Sequence, residues 1–189
     1  MGAFKEPHGG VLRELYLSER NADEEKVKAE DYKAWNLTAR QVCDLDLLMS
    51  GAFSPLEGFL GRDDYESVCD TMRLTSGVLW PLPITLDVSE AFADEIAAGD
   101  TIALRDPEGV LLATLEVSDL WTPDLMSEAE RVYGTTDDTH PAVHHLKSVA
   151  NPVYVGGRSR GVEPPTYYDF KLRRDTPSEL RGRFRKLGW

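Results

Sequence analysis

His140, His144 and His145 are the residues whose types and spacing come nearest to a chemical site. Four apart on a helix, His140 and His144 would share a face, as two zinc-binding imidazoles must. Pro141 instead puts His140 at the helix boundary, and no Glu stands where a metalloprotease needs its base. Spacing supplies no third ligand, so the expectation is a structural cluster and no metal. Gly9-Gly10 and Gly156-Gly157 could cradle phosphate, yet neither belongs to the longer glycine pattern that precedes a phosphate-binding helix. Gly156-Gly157-Arg158 is the better of the two, and its plainer expectation is a sharp turn leaving a sheet. Ser-His-Asp catalysis has its residue types but no elbow to present the serine. The pairs Asp44/Asp46 and Asp63/Asp64 carry no signal in so acidic a chain. No catalytic, cofactor-binding or metal-binding residue follows from these patterns.

The charge is divided. Up to Gly157 the chain carries 12 Lys and Arg against 29 Asp and Glu; from Arg158 onward it carries 9 against 4. An acidic body repels phosphate backbones and argues against nucleic acid as the main partner. With 189 residues the chain is one domain of ordinary size, or one domain and the start of another. No segment approaches the apolar length a membrane helix needs, and the N-terminus lacks a secretion signal. Cys43 and Cys69 make no disulfide framework. The cytoplasm is the expected compartment. Cys43, one position off an apolar stripe, is expected to pack as a small apolar group.

The elements that would position any site are marked by their ends. Residues 19–33 are dense in charge and read as a solvated helix or loop. Thr38 and Gln41 form a capping box that starts a helix at Ala39, with Val42, Leu45, Leu48 and Met49 on one face and Gly51 as a left-handed stop. Residues 62–69 suggest another helix, which Ser76-Gly77 breaks. Pro81 and Pro83 restrict 78–88 to an edge strand, with Ile84, Leu86 and Val88 pointing one way. Ser89 caps a short helix through Ala97. Residues 101–105 and 110–117 flank Asp106-Pro107-Glu108-Gly109 as a hairpin. Thr122-Pro123 starts a helix ended by Gly134, His140-Pro141 opens one more turn of helix, and 152–155 is a closing strand.

The tail is well specified. Thr176-Pro177-Ser178-Glu179 combines an N-cap, a first-turn proline and a capping-box Glu. Leu180, Phe184 and Leu187 then form an apolar stripe among Arg181, Arg183, Arg185 and Lys186, and Gly188 stops the helix. A helix this short is marginal alone, so the stripe needs something to cover it. Tyr167, Tyr168, Phe170, Phe184 and Trp189 among the basic residues superficially suit nucleic acid.

Leu37-Thr38-Ala39-Arg40-Gln41, followed by Gly51-Ala52-Phe53-Ser54-Pro55-Leu56-Glu57-Gly58-Phe59-Leu60, resembles the N-terminal domain of sulfate adenylyltransferase (ATP sulfurylase). The resemblance extends to Pro7-His8-Gly9-Gly10, Leu79-Trp80-Pro81-Leu82-Pro83-Ile84-Thr85-Leu86-Asp87, His140-Pro141-Ala142-Val143, Tyr154-Val155-Gly156-Gly157 and the stretch from Tyr167-Tyr168-Asp169-Phe170 to Gly188-Trp189. It implies an α+β fold: a PUA-like β pseudobarrel with inserted short helices, over residues 1–168. Residues 169–189 would then be the junction and first helix of a nucleotidyltransferase domain absent from this chain, with Tyr168, Phe170, Leu180, Phe184, Leu187 and Trp189 as interdomain packing residues.

The implied reaction of the full-length family joins ATP and sulfate, with Mg²⁺, to give adenosine 5′-phosphosulfate and pyrophosphate, in sulfate assimilation. It relies on positioning and on cationic stabilisation of the phosphate oxygens. The family's motif for this, Gln-Thr-Arg-Asn-Pro-x-His-x-x-His, matches no position here, so the resemblance assigns no catalytic residue and no cofactor to this chain. The expectation is a scaffold without activity, partnered by the catalytic domain of the same polypeptide, with a homo-oligomer left open and no membrane. The alternative is a freestanding PUA-like binding or assembly module, RNA-binding through the basic C-terminal helix. Fold alone cannot separate these, because the PUA-like fold also serves RNA-binding modules.

Overall fold

Seven α-helices and five strands form among residues 5–188, the residues described by a computed structural model of the chain. They gather into two units. The first holds the chain through Gly58, Ile102–Leu115, and the chain from Ser159 onward; the second holds Phe59–Thr101 and Glu116–Arg158.

In the first unit, α1 (Glu19–Lys28), β1 (Ala34–Asn36) and α2 (Ala39–Met49) precede β3 (Thr101–Arg105), the start of β4 (Leu111–Trp121), the end of β5 (Val153–Gly161) and α7 (Pro177–Leu187). The capping box of α2 forms as the sequence requires: Gln41 N–H donates to Thr38 Oγ1 at 3.3 Å and Thr38 N–H donates to Gln41 Oε1 at 3.0 Å. Such caps contribute about 1 kcal/mol. Gln41 Oε1 also accepts from Trp35 Nε1 at 3.2 Å, which explains why this amide is fully buried beside Leu45, Leu48 and Met49. Gly51 follows at φ +83°. Cys43, in contrast, is exposed and does not pack as an apolar group. Helical spacing turns it outward while Gln41 takes the buried place. β1 pairs parallel with β3, and β3 and β4 close the hairpin over Asp106, whose Oδ1 accepts from the N–H groups of Glu108 and Val110. The strands run β1-β3-β4-β5. Small side chains, Ala22, Ala29 and Ala103 with Leu111 and Val162, let α1 lie close to them.

The second unit contains α3 (Arg62–Thr71), β2 (Leu86–Val88), α4 (Glu90–Ala93), the remainder of β4, α5 (Leu125–Tyr133), α6 (Pro141–Ser148) and the start of β5. Its strand order is β4-β5-β2, with β2 antiparallel to β5 at the edge. Both faces of β2 are covered: Thr85 and Asp87 are buried along with Ile84, Leu86 and Val88, and the Asp87 carboxylate is hydrogen-bonded. It accepts from Asn151 N–H at 2.9 Å and from Asn151 Nδ2 at 3.0 Å. α3 ends at a left-handed Met72, short of Ser76-Gly77. α4 stops at Ala93, because Asp100 Oδ2 accepts from Ala97 N–H and holds the following residues in a turn. α5 starts two residues later than Thr122-Pro123 suggested. Its cap is Asp124, whose Oδ1 accepts from Met126 and Ser127 N–H.

Gly156-Gly157 gives the largest departure. The pair lies inside β5 and makes no turn. A Cβ on Gly156 would come within 2.5 Å of both Gly61 Cα and Leu60 O. The glycine is therefore a point of close backbone approach, and Gly157 N–H continues the contact by donating to Phe59 O at 3.0 Å. Gly156→Ala is expected to destabilise the chain by at least about 1–3 kcal/mol, the usual cost of overpacking. Gly182→Ala, where an added Cβ meets nothing within 4 Å inside α7, is expected to be neutral or to stabilise by up to about 1 kcal/mol. Urea unfolding of the two variants checks this pair, and equal midpoints would contradict it.

Candidate interface at the C-terminal segment

α7 is built by the local code of its first turn. Glu179 N–H donates to Thr176 Oγ1 at 3.3 Å, Thr176 N–H donates to Glu179 Oε2 at 2.8 Å, and Pro177 occupies the first turn. Those hydrogen bonds hold the Glu179 carboxyl below the usual range. Gly188 ends the helix at φ +77°. No residue of α7 is buried. Leu180, Phe184 and Leu187 are 37%, 39% and 63% exposed, so the stripe faces solvent; Ser178, Arg181 and Gly182 are the half-covered side. Tyr168 and Phe170 are 78% and 71% exposed, and Leu172, which the sequence pattern did not single out, is 99% exposed. Trp189 lies outside the described residues. Six large side chains with apolar surface are thus more than a third exposed within one short segment.

Polar contacts hold this segment. Tyr167 Oη donates to Asp46 Oδ2 on α2 at 2.6 Å, and the Arg174 guanidinium stacks 3.7 Å over the Tyr167 ring. Burial, then the bond to Asp46, pushes the Tyr167 phenol well above its usual value, so it stays a donor throughout the neutral range. Arg174 Nη2 meets Asp169 Oδ1 at 3.0 Å, closing a loop through a left-handed Phe170 and a 3₁₀ turn at Lys171–Arg173. Arg183 Nη2 reaches back to Asp175 Oδ1 at 2.6 Å, and Arg181 donates to Lys5 O at 2.5 Å.

The other candidates fall apart. His140 caps α6, its ring 5.4 Å from that of Tyr133, while His144 Nδ1 lies 3.4 Å from Asp138 Oδ1. Among the described residues, no three His, Cys, Asp or Glu side chains come together as a metal set. Gly9 and Gly10 form a turn closed by Gly10 N–H to Pro7 O. Asp44 pairs with Arg40 at 2.6 Å, and Asp64 accepts from Thr75 N–H and Oγ1. Sequence reasoning missed the polar centre of the second unit. There buried Glu128 accepts from Tyr65 Oη at 2.9 Å and Tyr154 Oη at 3.0 Å, within a triangle of Tyr65, Trp121 and Tyr154 rings 5.5–5.8 Å apart. An unpaired buried hydroxyl costs about 1–3 kcal/mol, and one carboxylate here satisfies two. No local motif announces it.

A family profile described as a PUA-like domain matches residues 5–164. The chain belongs to the PUA-like domain family. It is 43% identical over 184 residues to the sulfate adenylyltransferase of Eremothecium gossypii, and 42% identical over 186 residues to that of Saccharomyces cerevisiae. Each match covers 97% of this chain but only 37% and 36% of the relative, so the chain spans about a third of the length of the curated relatives it matches. A solved structure described as a hexameric APS kinase from Thiobacillus denitrificans superposes with a TM-score of 0.77 at 32% identity, covering 97% of this chain and 32% of that one. The PUA-like, α+β fold expected from the sequence is the one observed. No helix among the described residues is long and apolar enough to cross a membrane.

The two thiols of this PUA-like chain should behave differently. Burial, followed by the nearby Glu128, raises the Cys69 pKa to about 11, whereas Cys43 is exposed. A raised pKa leaves little thiolate at pH 8. One thiol per folded chain, Cys43, is expected to react quickly with a disulfide reagent at pH 8, and both after denaturation; fast reaction of both in the folded chain would contradict the burial.

Proposed function

We propose that this chain is the PUA-like platform of a sulfate adenylyltransferase, a cytoplasmic scaffold on which the remainder of a longer polypeptide assembles. In this reading residues 169–189 are the junction, and Tyr168, Phe170, Leu180, Phe184, Leu187 and Trp189 pack against the catalytic domain. One observation carries it: the relatives match nearly the whole chain with only a third of their own length. Covering that stripe is worth roughly 1.5–3 kcal/mol per fully buried Leu or Phe side chain, an ordinary driving force for interdomain docking.

Chemistry is assigned elsewhere. Adenylyl transfer from ATP to sulfate needs cations and hydrogen-bond donors converging on phosphate oxygens. Among the described residues, no three His, Cys, Asp or Glu side chains come together to hold the Mg²⁺ that accompanies ATP. What the chain offers is placement. A 1 Å error in placing reacting groups can cost about a hundredfold in rate, so a rigid platform is part of such an enzyme even where it touches no substrate.

The isolated chain is expected to show no sulfate-dependent ATP–pyrophosphate exchange, whereas a chimera in which it replaces the matching third of the Saccharomyces cerevisiae enzyme is expected to be active. Leu180→Asp with Phe184→Asp should lower chimera activity at least tenfold. Exchange by the purified chain alone, surviving a mock-purified control, would overturn the reading, and so would an active chimera indifferent to both substitutions.

A further inference from the structure

Residues 168–187 carry seven Lys and Arg against three Asp and Glu, in a chain where acids outnumber bases 33 to 21. All three of those carboxylates are engaged inside the segment. Asp169 pairs with Arg174, Asp175 pairs with Arg183, and Glu179 closes the capping box of α7. Among the described residues, the Lys171 and Arg173 side chains have no carboxylate partner. Both residues are exposed, and they flank Leu172, which stands 99% exposed between them. Arg173 also lines a cavity of about 520 Å³ together with Leu47, Pro177 and Leu180. Its charge therefore borders the apolar surface at the start of α7.

We propose that the catalytic-domain face taken to cover this segment presents carboxylates to Lys171 and Arg173, an inference that rests on that domain docking here. Closing an apolar surface removes water from whatever borders it, and a cation that loses hydration needs an opposite charge close by. The segment's own carboxylates are committed, so the cover must supply that charge. A purely apolar cover would leave the two cations dehydrated and uncompensated at its rim, and a basic one would add repulsion. Arg173 suits the contact, because a guanidinium is weakly hydrated and its planar fork takes a carboxylate through two hydrogen bonds. An acidic cover also gains a register. The chain up to Gly157, with 29 Asp and Glu against 12 Lys and Arg, repels it, whereas Lys171 and Arg173 attract it. Charge then fixes where the cover lands, and the apolar side chains beside it supply most of the binding.

The chimera with the Saccharomyces cerevisiae enzyme tests this through its sulfate-dependent ATP–pyrophosphate exchange. Lys171→Glu with Arg173→Glu is expected to lower exchange by roughly tenfold or more. Lys171→Met with Arg173→Met, which keeps the apolar stems and removes the charge, should lower it by a smaller factor. Lys186→Glu is the control, since that exposed residue lies about 120° round the helix from Leu180 and should leave exchange unchanged. The urea midpoint of the isolated 189-residue chain should be the same with each of these changes. Unchanged exchange on charge reversal, in a chimera that Leu180→Asp with Phe184→Asp disables, would overturn the acidic cover while leaving the docking in place. Indifference to both pairs of substitutions would overturn the two together. Equal losses from the Met and Glu pairs would also overturn it, by tracing the effect to the stems; so would a lowered midpoint in the isolated chain, by tracing it to the fold.

Discussion

An eleven-residue amphipathic helix cannot hold itself in water, and this chain does not bury the one it carries at its end. That constraint governs the C-terminal segment of the molecule. Its capping box and terminal glycine supply what local chemistry can, and polar contacts from Tyr167 to Asp46 and from Arg181 to Lys5 O reach the rest of the chain. Hydrophobic burial, the largest contribution in most helices, is small here, since no residue of the helix is buried.

The body is made differently. In the second unit a buried carboxylate is surrounded by aromatic hydroxyls, and a glycine of β5 lies against the backbone at Leu60 and Gly61 with no room for a methyl group. In the first unit small residues bring α1 close to the strands, and buried Glu25 accepts from Thr114 Oγ1 at 3.0 Å. In each unit a buried carboxylate is thus hydrogen-bonded within the fold. A PUA-like fold does not dictate chemistry.

The sequence was most legible where information is local. Thr38 with Gln41 and Thr176 with Glu179 mark helix starts because each cap bonds residues three apart, and both are found where the spacing puts them. The exposure of Leu180, Phe184 and Leu187 follows the same helical arithmetic. Legibility failed where partners are distant in the chain. Nothing near Gly156 tells that Leu60 and Gly61 will press on it, so a glycine pair inside a strand read as a turn. Tyr167 and Asp46 are 121 residues apart, and Glu128 collects tyrosines 63 and 26 residues away. Cys43 was misjudged for a subtler reason: a buried glutamine, held by its own cap and by Trp35, displaced the apolar stripe by one position.

The most direct test of the central claim asks whether the stripe is covered in a longer polypeptide. With Leu187→Cys introduced into a Cys43→Ser chain, the labelling rate of that thiol can be followed by peptide mass spectrometry, once in the chain alone and once in the Saccharomyces cerevisiae chimera. The account predicts rapid labelling in the isolated chain and at least tenfold slower labelling in the chimera. Equal rates in a folded chimera would contradict it.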